Sequence, residues 1–259
     1  MERIALITGA TKNSGLAIAR RFAAEGYSVC ITSRREADAE AAAAQIAKDY
    51  SVPARGYSLD LTSTDDIARV FADVKKTFGR LDVFVGNSAN LGIGVGVMDM
   101  TPQQFDSVMD VNIRGNFFCC QESAKLMRLN GGGAIVLIGS VHYKAAVHDR
   151  AAYAISKGAI ASMVHNLAFE LAEYGIRVNQ VIPGAIRTDR WEGISPEEEA
   201  RRRRNWPLGV ESTAEDIANA VYFMASDEAR TVTGAELAVD SGILACLLNY
   251  SPKSKEERK

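Results

Sequence analysis

The chain has 259 residues, of which 47% are hydrophobic and 24% charged, and its formal net charge is −2. This balance of 30 basic and 32 acidic residues gives no electrostatic reason to expect a nucleic-acid partner or an anionic membrane surface. The opening MERIALITGA lacks the features of a secretory signal, and no apolar segment approaches the ~20 residues of a membrane span, so we expect a cytoplasmic protein.

Seven short runs rich in β-branched residues alternate with helical patterns such as 15–26 and 37–50. Most of these runs are continuously apolar, which is typical of strands buried on both faces, and right-handed crossovers then give a doubly wound sheet. The predicted fold class is α/β: a Rossmann fold with a parallel sheet of about seven strands and helices on both faces. The predicted strands are 3–8, 28–33, 53–60, 82–87, 133–140, 176–184 and 234–240.

The same reading indicates one domain over residues 1–250, because no linker, repeat or low-complexity block divides the chain. A charged segment, 190–209, interrupts the alternation, and a polar tail, 251–259, is expected to be mobile. The run EEEARRRR within the segment 190–209 is interpreted as a solvated helix held by i,i+4 ion pairs, with an anion or nucleic-acid patch as the alternative.

The four cysteines fit buried thiols in a reducing compartment. They include the adjacent pair Cys119 and Cys120, and none lies in a CxxC or His-rich metal spacing. We therefore expect no metal site.

A glycine-containing loop, ITGATKNSGLAIA, follows the first predicted strand and opens the first helix. Gly9 and Gly15 let backbone amides approach a pyrophosphate at the helix N-terminus, so the loop predicts dinucleotide binding; a plain strand-to-helix turn is the alternative.

The end of the second predicted strand, ITSRRE, indicates which dinucleotide binds. Ser33 stands where an NAD site needs a carboxylate, and Arg34 and Arg35 follow it. Because guanidinium binds a 2′-phosphate well, the cofactor is predicted to be NADP(H), the alternative being two solvated arginines.

Tyr153 and Lys157 lie four residues apart among small residues in AAYAISKGAIASMV, so a helix would put both on one face. Ser140 ends the strand GAIVLIGS, at the edge of a parallel sheet where substrates bind. Asn112 falls within a predicted long helix, where Asn is a poor helix former.

These motifs resemble the short-chain dehydrogenase/reductase family, and the resemblance extends from Ile4 to about Gly242. The loop is similar to the family's TGxxxGxG signature, with Asn13 replacing the middle glycine; Asn tolerates a positive φ. Asn112, Ser140, Tyr153 and Lys157 match the family's catalytic tetrad. Within the family, the chain resembles NADP(H)-preferring members such as 3-oxoacyl-ACP reductase-like and hydroxysteroid dehydrogenase-like enzymes.

The resemblance implies NADPH-dependent reduction of a ketone or aldehyde to an alcohol, in a reversible reaction. Tyr153 would act as general acid or base, and Lys157 would lower the pKa of the phenol and hold the nicotinamide ribose. Ser140 would orient the substrate oxygen, and Asn112 would position a water that links Lys157 to solvent.

Further cofactor contacts are implied by the family's other motifs. Lys12 resembles a second basic residue of NADPH-dependent relatives, SLDLT would bracket the adenine, GNSAN resembles the family's NNAG, and IPGAIRT resembles its PG motif. The implied cofactor-binding residues are Gly9, Thr11, Lys12, Asn13, Ser14, Gly15, Leu16, Ser33, Arg34, Arg35, Asp60, Leu61, Asn87, Ser88, Ala89, Tyr153, Lys157, Pro183, Gly184, Ile186 and Thr188.

The substrate is expected to be a small carbonyl or alcohol compound, and acyl thioesters, steroids or bile acids, sugar-like ketones and xenobiotics stay open. Candidate pocket residues are His142, Tyr143, His148 and Trp191. The resemblance implies a substrate lid around 189–209. It also implies assembly as a homotetramer or homodimer. Two alternatives are an enoyl reductase of the same family, disfavoured by the Tyr–Lys spacing and Ser140, and a catalytically silent NADP(H)-binding sensor or scaffold.

Overall fold

The computed structural model describes residues 3–92, 94–188, 191–204 and 206–246. Its single sheet has seven parallel strands in the order β3-β2-β1-β4-β5-β6-β7, which confirms the predicted fold class. Each strand lies within its predicted run and is at most three residues shorter than that run. The strands are β1 (Ile4–Ile7), β2 (Ser28–Ser33), β3 (Ala54–Ser58), β4 (Val83–Gly86), β5 (Gly133–Ile138), β6 (Ile176–Pro183) and β7 (Glu236–Val239).

Eight α-helices occur in the described residues. The first begins two residues earlier than predicted and ends before Gly26, which adopts φ 78°. The helices are α1 (Asn13–Ala24), α2 (Glu36–Tyr50), α3 (Thr64–Phe78), α4 (Pro102–Met109), α5 (Asn116–Leu129), α6 (Ala151–Leu171), α7 (Pro196–Arg203) and α8 (Ala214–Ala225).

Helices cover both faces of the sheet. Because successive strand residues point to opposite sides, each strand contributes apolar side chains to both layers. In β1, Leu6 belongs to the apolar core formed with α3, α5 and α6, whereas Ile7 belongs to the core formed with α1, α2 and α8. Within the described residues, no helix has the length and apolar character needed to span a bilayer.

The strand order changes direction at β1: β2 and β3 lie on one side of it, and β4 to β7 lie on the other. In doubly wound sheets this point opens a crevice beyond the carboxyl ends of the strands, where ligands bind. The loops after β1, β2, β4 and β5, which carry most of the predicted site residues, therefore converge on one edge.

The predicted long helix around Asn112 is interrupted by a π-helical segment, Asp110–Gly115, between α4 and α5. The Asn116 side chain donates to the backbone oxygens of Val111 and Asn112, at 3.4 and 3.0 Å, and so satisfies carbonyls of this wider turn. Gly115 is needed there because a Cβ would lie 2.4 Å from the Leu61 carbonyl oxygen. The helix thereby packs directly against the loop after β3.

The predicted ion pairs of EEEARRRR are present in α7. Glu198 binds Arg201 and Arg202, and Glu199 binds Arg203. The remainder of the predicted lid segment is described except for residues 189, 190 and 205, and the tail 251–259 lies outside the described residues.

Candidate active site

A cleft of 1160 Å³ opens beyond the carboxyl ends of the strands and takes in most of the predicted site residues. It exceeds the usual volume of a single small-ligand pocket, ~300 to 1,000 Å³, so it has room for a cofactor and a substrate together. Among the predicted cofactor residues, only Leu16 and Arg35 do not line it.

The glycine-containing loop forms the floor of this cleft. Gly9 has φ 62° and Asn13 has φ 49°, so Asn13 adopts the left-handed conformation expected of it. A Cβ on Gly15 would lie 2.3 Å from the Gly9 carbonyl oxygen, a contact only glycine permits. No side chain caps the N-terminus of α1 in the described part of the chain, which leaves its first amides facing the cleft. The loop therefore fits a pyrophosphate.

The segment after β4 is tied to the loop by hydrogen bonds. The Asn87 side chain donates to the backbone oxygens of Thr8 and Gly9, at 2.9 and 3.1 Å, and the Thr8 hydroxyl accepts from the amides of Asn87 and Ser88. These contacts place Asn87, Ser88 and Ala89 along the cleft wall.

The two arginines after β2 differ in their surroundings. Arg34 lines the cleft near Lys12, whereas the Arg35 guanidinium forms a 2.6 Å ion pair with Asp38 and is 79% exposed. The Arg35 amide donates to the Ser33 hydroxyl at 3.3 Å. Of the two, only Arg34 lines the cleft.

Asp60 and Leu61 also line the cleft, and Asp60 lies close enough to Arg34 to interact with its charge. The Asp60 carboxylate accepts hydrogen bonds from the amide and hydroxyl of Thr62, at 2.9 and 2.8 Å, and these bonds lower its pKa. Leu61 is 6% exposed and presents an apolar surface.

Tyr153 and Lys157 lie together on the buried face of α6, and both line the cleft. The Lys157 Nζ is 5.5 Å from the Tyr153 ring centroid and donates a 2.6 Å hydrogen bond to the Ile138 carbonyl. Burial lowers the pKa of Lys157 to about 8. Ser140 lines the same part of the cleft just beyond β5, and its hydroxyl accepts from the His142 amide.

Asn112 is fully buried and does not line the cleft. Its side-chain oxygen accepts from the Asn90 amide at 2.7 Å, and its side-chain nitrogen donates to the Asn90 carbonyl and the Ser156 hydroxyl, each at 2.9 Å. Ser156 in turn donates to the Tyr153 carbonyl at 2.7 Å. Asn112 therefore joins the loop after β4 to the tyrosine helix.

The PG motif closes the cleft at the β6 end, where Pro183, Gly184, Ile186 and Thr188 line it. A Cβ on Gly184 would lie 2.8 Å from the Asp240 Cα, so the chain passes tightly over the segment after β7. Ile186 pairs with Ser212 in an isolated parallel bridge.

Of the four residues expected in the substrate pocket, the structure brings two to the cleft. His142 faces Tyr153 with ring centroids 6.1 Å apart, and Trp191 packs on Trp206 at 5.6 Å. Tyr143 points away and donates its hydroxyl proton to Glu236, and His148 is exposed in a second pocket, which shares Arg150 with the cleft.

Two arginines at the substrate end were missed by the sequence analysis. Arg150 precedes α6, and Arg202 comes from α7; both line the cleft. Their sequence signal was weak, because Arg202 lies within a run of four arginines and Arg150 lies in a loop. The described residues contain no group of three or more His, Cys, Asp or Glu side chains able to hold a metal ion.

Comparison with known proteins matches residues 9–244 to the family model described as Enoyl-(Acyl carrier protein) reductase. Similar curated proteins include 2-(R)-hydroxypropyl-CoM dehydrogenase of Xanthobacter autotrophicus, 36% identical over 95% of this chain and 100% of that protein. The 3-oxoacyl-(acyl-carrier-protein) reductase of Staphylococcus aureus is 32% identical over 94% of this chain and 98% of that protein.

Solved structures show the same likeness. Acetoin dehydrogenase from Salmonella typhimurium has a TM-score of 0.85 at 29% identity, covering 95% of this chain and 98% of its own. NAD⁺-bound xylitol dehydrogenase has a TM-score of 0.87 at 28% identity, covering 93% and 98%. With its glycine loop, sheet order and matched relatives, the chain belongs to the short-chain dehydrogenase/reductase family, whose members bind a nicotinamide cofactor and catalyse oxidoreduction between ketones and alcohols.

Proposed function

We propose that this protein is an NADP(H)-dependent oxidoreductase that interconverts a ketone or aldehyde and its alcohol, with Tyr153 as the general acid and base. The observation that carries the proposal is the Tyr153–Lys157 pair, buried on one face of α6 and open to the cleft beside Ser140. The nicotinamide, when bound, exchanges a hydride with the substrate carbon.

The protein's own residues manage the proton and the substrate oxygen. In reduction, the Tyr153 hydroxyl gives its proton to the carbonyl oxygen while the Ser140 hydroxyl donates a hydrogen bond that orients this oxygen. The Lys157 ammonium, 5.5 Å from the Tyr153 ring centroid, stabilises the phenolate that forms. In oxidation the same phenolate accepts the alcohol proton.

Asn112 acts in this proposal as a positioning residue. Its hydrogen bonds to Asn90 and Ser156 fix the loop after β4 relative to the helix of Tyr153. Any water that links Lys157 to solvent would then be ordered through this framework rather than through a free Asn112 amide.

The preference for NADP(H) rests on the surroundings of Arg34 and Lys12. Both line the cleft with Ser33, which stands where an NAD site needs a carboxylate, and the Asp60 carboxylate nearby is already bonded to Thr62. Arg35 is bound to Asp38, so Arg34 is the arginine assigned to the phosphate.

The test compares two neighbouring arginines. In fluorescence titrations, we expect the wild type to bind NADPH more tightly than NADH. Arg34→Gln should raise the Kd for NADPH by ~10- to 100-fold, because a charge-assisted bidentate contact is lost, and leave the Kd for NADH within ~3-fold. Arg35→Gln, the matched control, should change neither Kd by more than ~3-fold. Equal or tighter binding of NADH by the wild type would contradict the NADP(H) assignment.

The matching family model, which is named for enoyl reductases, favours one competitor, an enoyl reductase. NADPH oxidation, followed with ketones, aldehydes and an α,β-unsaturated thioester, separates the two. We expect the enzyme to reduce the ketones and aldehydes and to leave the C=C bond of the α,β-unsaturated thioester unreduced. Turnover of the unsaturated thioester alone would favour the enoyl reductase, and NADPH binding without any turnover would favour a silent sensor.

Assembly and compartment are part of the proposal. Apolar side chains on α5 and α6 remain exposed in one chain, among them Phe117 at 41%, Ile155 at 55% and Phe169 at 86%, and these support a homotetramer or homodimer. Burial raises the pKa of the thiols of Cys30, Cys119 and Cys120, which supports structural thiols in a reducing, cytoplasmic compartment.

A further inference from the structure

The cleft carries more positive charge than the proposed reaction uses. Among the described lining residues there are five lysine and arginine side chains and one carboxylate, Asp60. Asp60 already accepts two hydrogen bonds from Thr62. Lys12 and Arg34 are assigned to the cofactor phosphate and Lys157 to catalysis, which leaves Arg150 and Arg202 at the substrate end.

Arg202 already has a carboxylate partner. Its Nε donates a 2.9 Å hydrogen bond to the Glu198 carboxylate, one helical turn away, and its guanidinium lies 5.1 Å from the centre of the Trp191 ring. This side chain therefore packs the lid segment against the cleft, and part of its hydrogen-bonding capacity is already used by Glu198.

Arg150 is different, since no carboxylate lies within ion-pair distance of it in the described part of the chain. It is half-buried at the N-terminus of α6, and its one recorded hydrogen bond is a long one, 3.3 Å from Nη1 to the Leu91 carbonyl. A guanidinium has five donors, so most of its capacity remains for a ligand.

The position of Arg150 relative to the reacting groups limits what that ligand can be. Arg150 is the residue immediately before α6, and it lines the same cleft as Ser140 and Tyr153. His142 packs near Tyr153, with ring centroids 6.1 Å apart, and its Nδ1 is buried without a hydrogen-bond partner in the described chain. Burial, with the nearby charge of Arg150, lowers the pKa of His142 and so disfavours a second cation there.

We propose that Arg150 binds an anionic group on the substrate, so that the preferred substrates are small ketones or alcohols with a carboxylate, sulfonate or phosphate a few atoms from the reacting carbon. The guanidinium would meet the anion with paired hydrogen bonds while Ser140 and Tyr153 hold the carbonyl oxygen. This inference rests on the proposed carbonyl chemistry and adds the charge class of the substrate to it.

The experiment uses methyl ketones that end in a carboxylate, with one to four methylene groups between the two functions, and the methyl ester of each. With saturating NADPH, the wild type should favour the acid over its ester in kcat/KM by ~10- to 100-fold at one chain length or more, mainly through KM. Arg150→Gln should abolish that preference and leave kcat/KM for the esters within ~3-fold of the wild type.

Two further variants separate charge from structure. Arg150→Lys keeps the charge but loses the planar fork, so it should retain part of the preference for acids. Arg128→Gln changes the net charge equally but lies at the exposed end of α5, so it should keep the full preference. An equal fall for acids and esters in Arg150→Gln would mean that Arg150 only fixes the loop at Leu91, and the proposal would be wrong.

A binding measurement decides the case independently of turnover. The keto acids should raise the Tm of the wild-type NADP⁺ complex, which cannot reduce them, and not that of the Arg150→Gln complex, and the esters should raise neither. If no ketone turns over but these shifts appear, the proposed reaction fails and the anion site stands. If ketones turn over without preference for acids, the reaction stands and the anion site is rejected.

Discussion

Tyr153→Phe is expected to lower kcat for ketone reduction by ~10²- to 10⁴-fold, the usual contribution of a positioned general acid. Phenylalanine keeps the ring that is 8% exposed on α6, so the change removes the transferable proton and little packing. The measurement is NADPH oxidation at saturating substrate, with the Kd for NADPH determined in parallel. We expect that Kd to change by less than ~3-fold, because the loss affects the transition state.

Tyr222→Phe is the matched control for this loss of a phenolic hydroxyl. Tyr222 lies on α8, and its hydroxyl donates to Glu25 at 3.3 Å, far from the cleft. Its kcat should remain within ~2-fold of the wild type, and stability should fall by less than ~1 kcal/mol. A Tyr153→Phe enzyme that retained more than a tenth of the wild-type kcat would show that another group supplies the proton.

The sheet could be predicted from the sequence because its strands are buried on both faces. In β1 the run Ile4–Ile7 has no polar residue, and its residues divide alternately between the two apolar cores. Such a run has one stable environment, the centre of a parallel sheet covered by helices. The alternation of these runs with helices then fixes the order of the layers.

The conformation of Asn13 was also predictable, since a local steric rule governs it. The loop requires a positive φ at that point, and Asn is one of the few residues other than glycine that tolerate it. Replacement of the family's glycine by Asn13 therefore leaves the turn intact.

The side-chain positions at the substrate end of the cleft could not be predicted from the sequence in the same way. Tyr143 and His142 are adjacent in the sequence, but Tyr143 is drawn away by Glu236, 93 residues further along the chain, while His142 faces Tyr153. The π-helical turn around Asn112 likewise depends on Gly115 packing against Leu61 of another loop. Contacts of this kind involve partners that no local pattern specifies.

Lys157→Met is expected to abolish activity and to stabilise the fold at neutral pH. Lys157 is 2% exposed, its Nζ meets the Ile138 carbonyl, and no carboxylate pairs with it in the described part of the chain. Burying an ammonium in this way costs free energy, and burial lowers the pKa of Lys157 to about 8. Methionine fills a similar volume and favours helix, so it removes the charge without opening a large cavity.

The sign of the pH effect follows from proton binding. An unfolded lysine has a pKa of about 10.4, so between about pH 8 and 10.4 the unfolded chain holds the extra proton and the folded chain does not. Wild-type stability from this group therefore rises with pH across that window. Below about pH 8 the folded wild type bears the full free-energy cost of burying the Lys157 ammonium. At pH 7 the free energy of unfolding of the variant should therefore exceed that of the wild type by about 1 to 3 kcal/mol, after allowance for the lost hydrogen bond to Ile138.

The measurement is urea unfolding of both proteins without cofactor from pH 7 to 10.5, where the difference in free energy of unfolding should shrink towards zero. Lys76→Met, at an exposed position on α3, should stay within ~0.5 kcal/mol of the wild type throughout. In the wild type, kcat/KM for NADPH should fall as the pH rises through about 8, because the free enzyme then loses the Lys157 proton. A Lys157→Met protein that is less stable than the wild type at pH 7 would show that the Nζ–Ile138 bond outweighs desolvation, and that Lys157 serves the fold as well as the proposed chemistry.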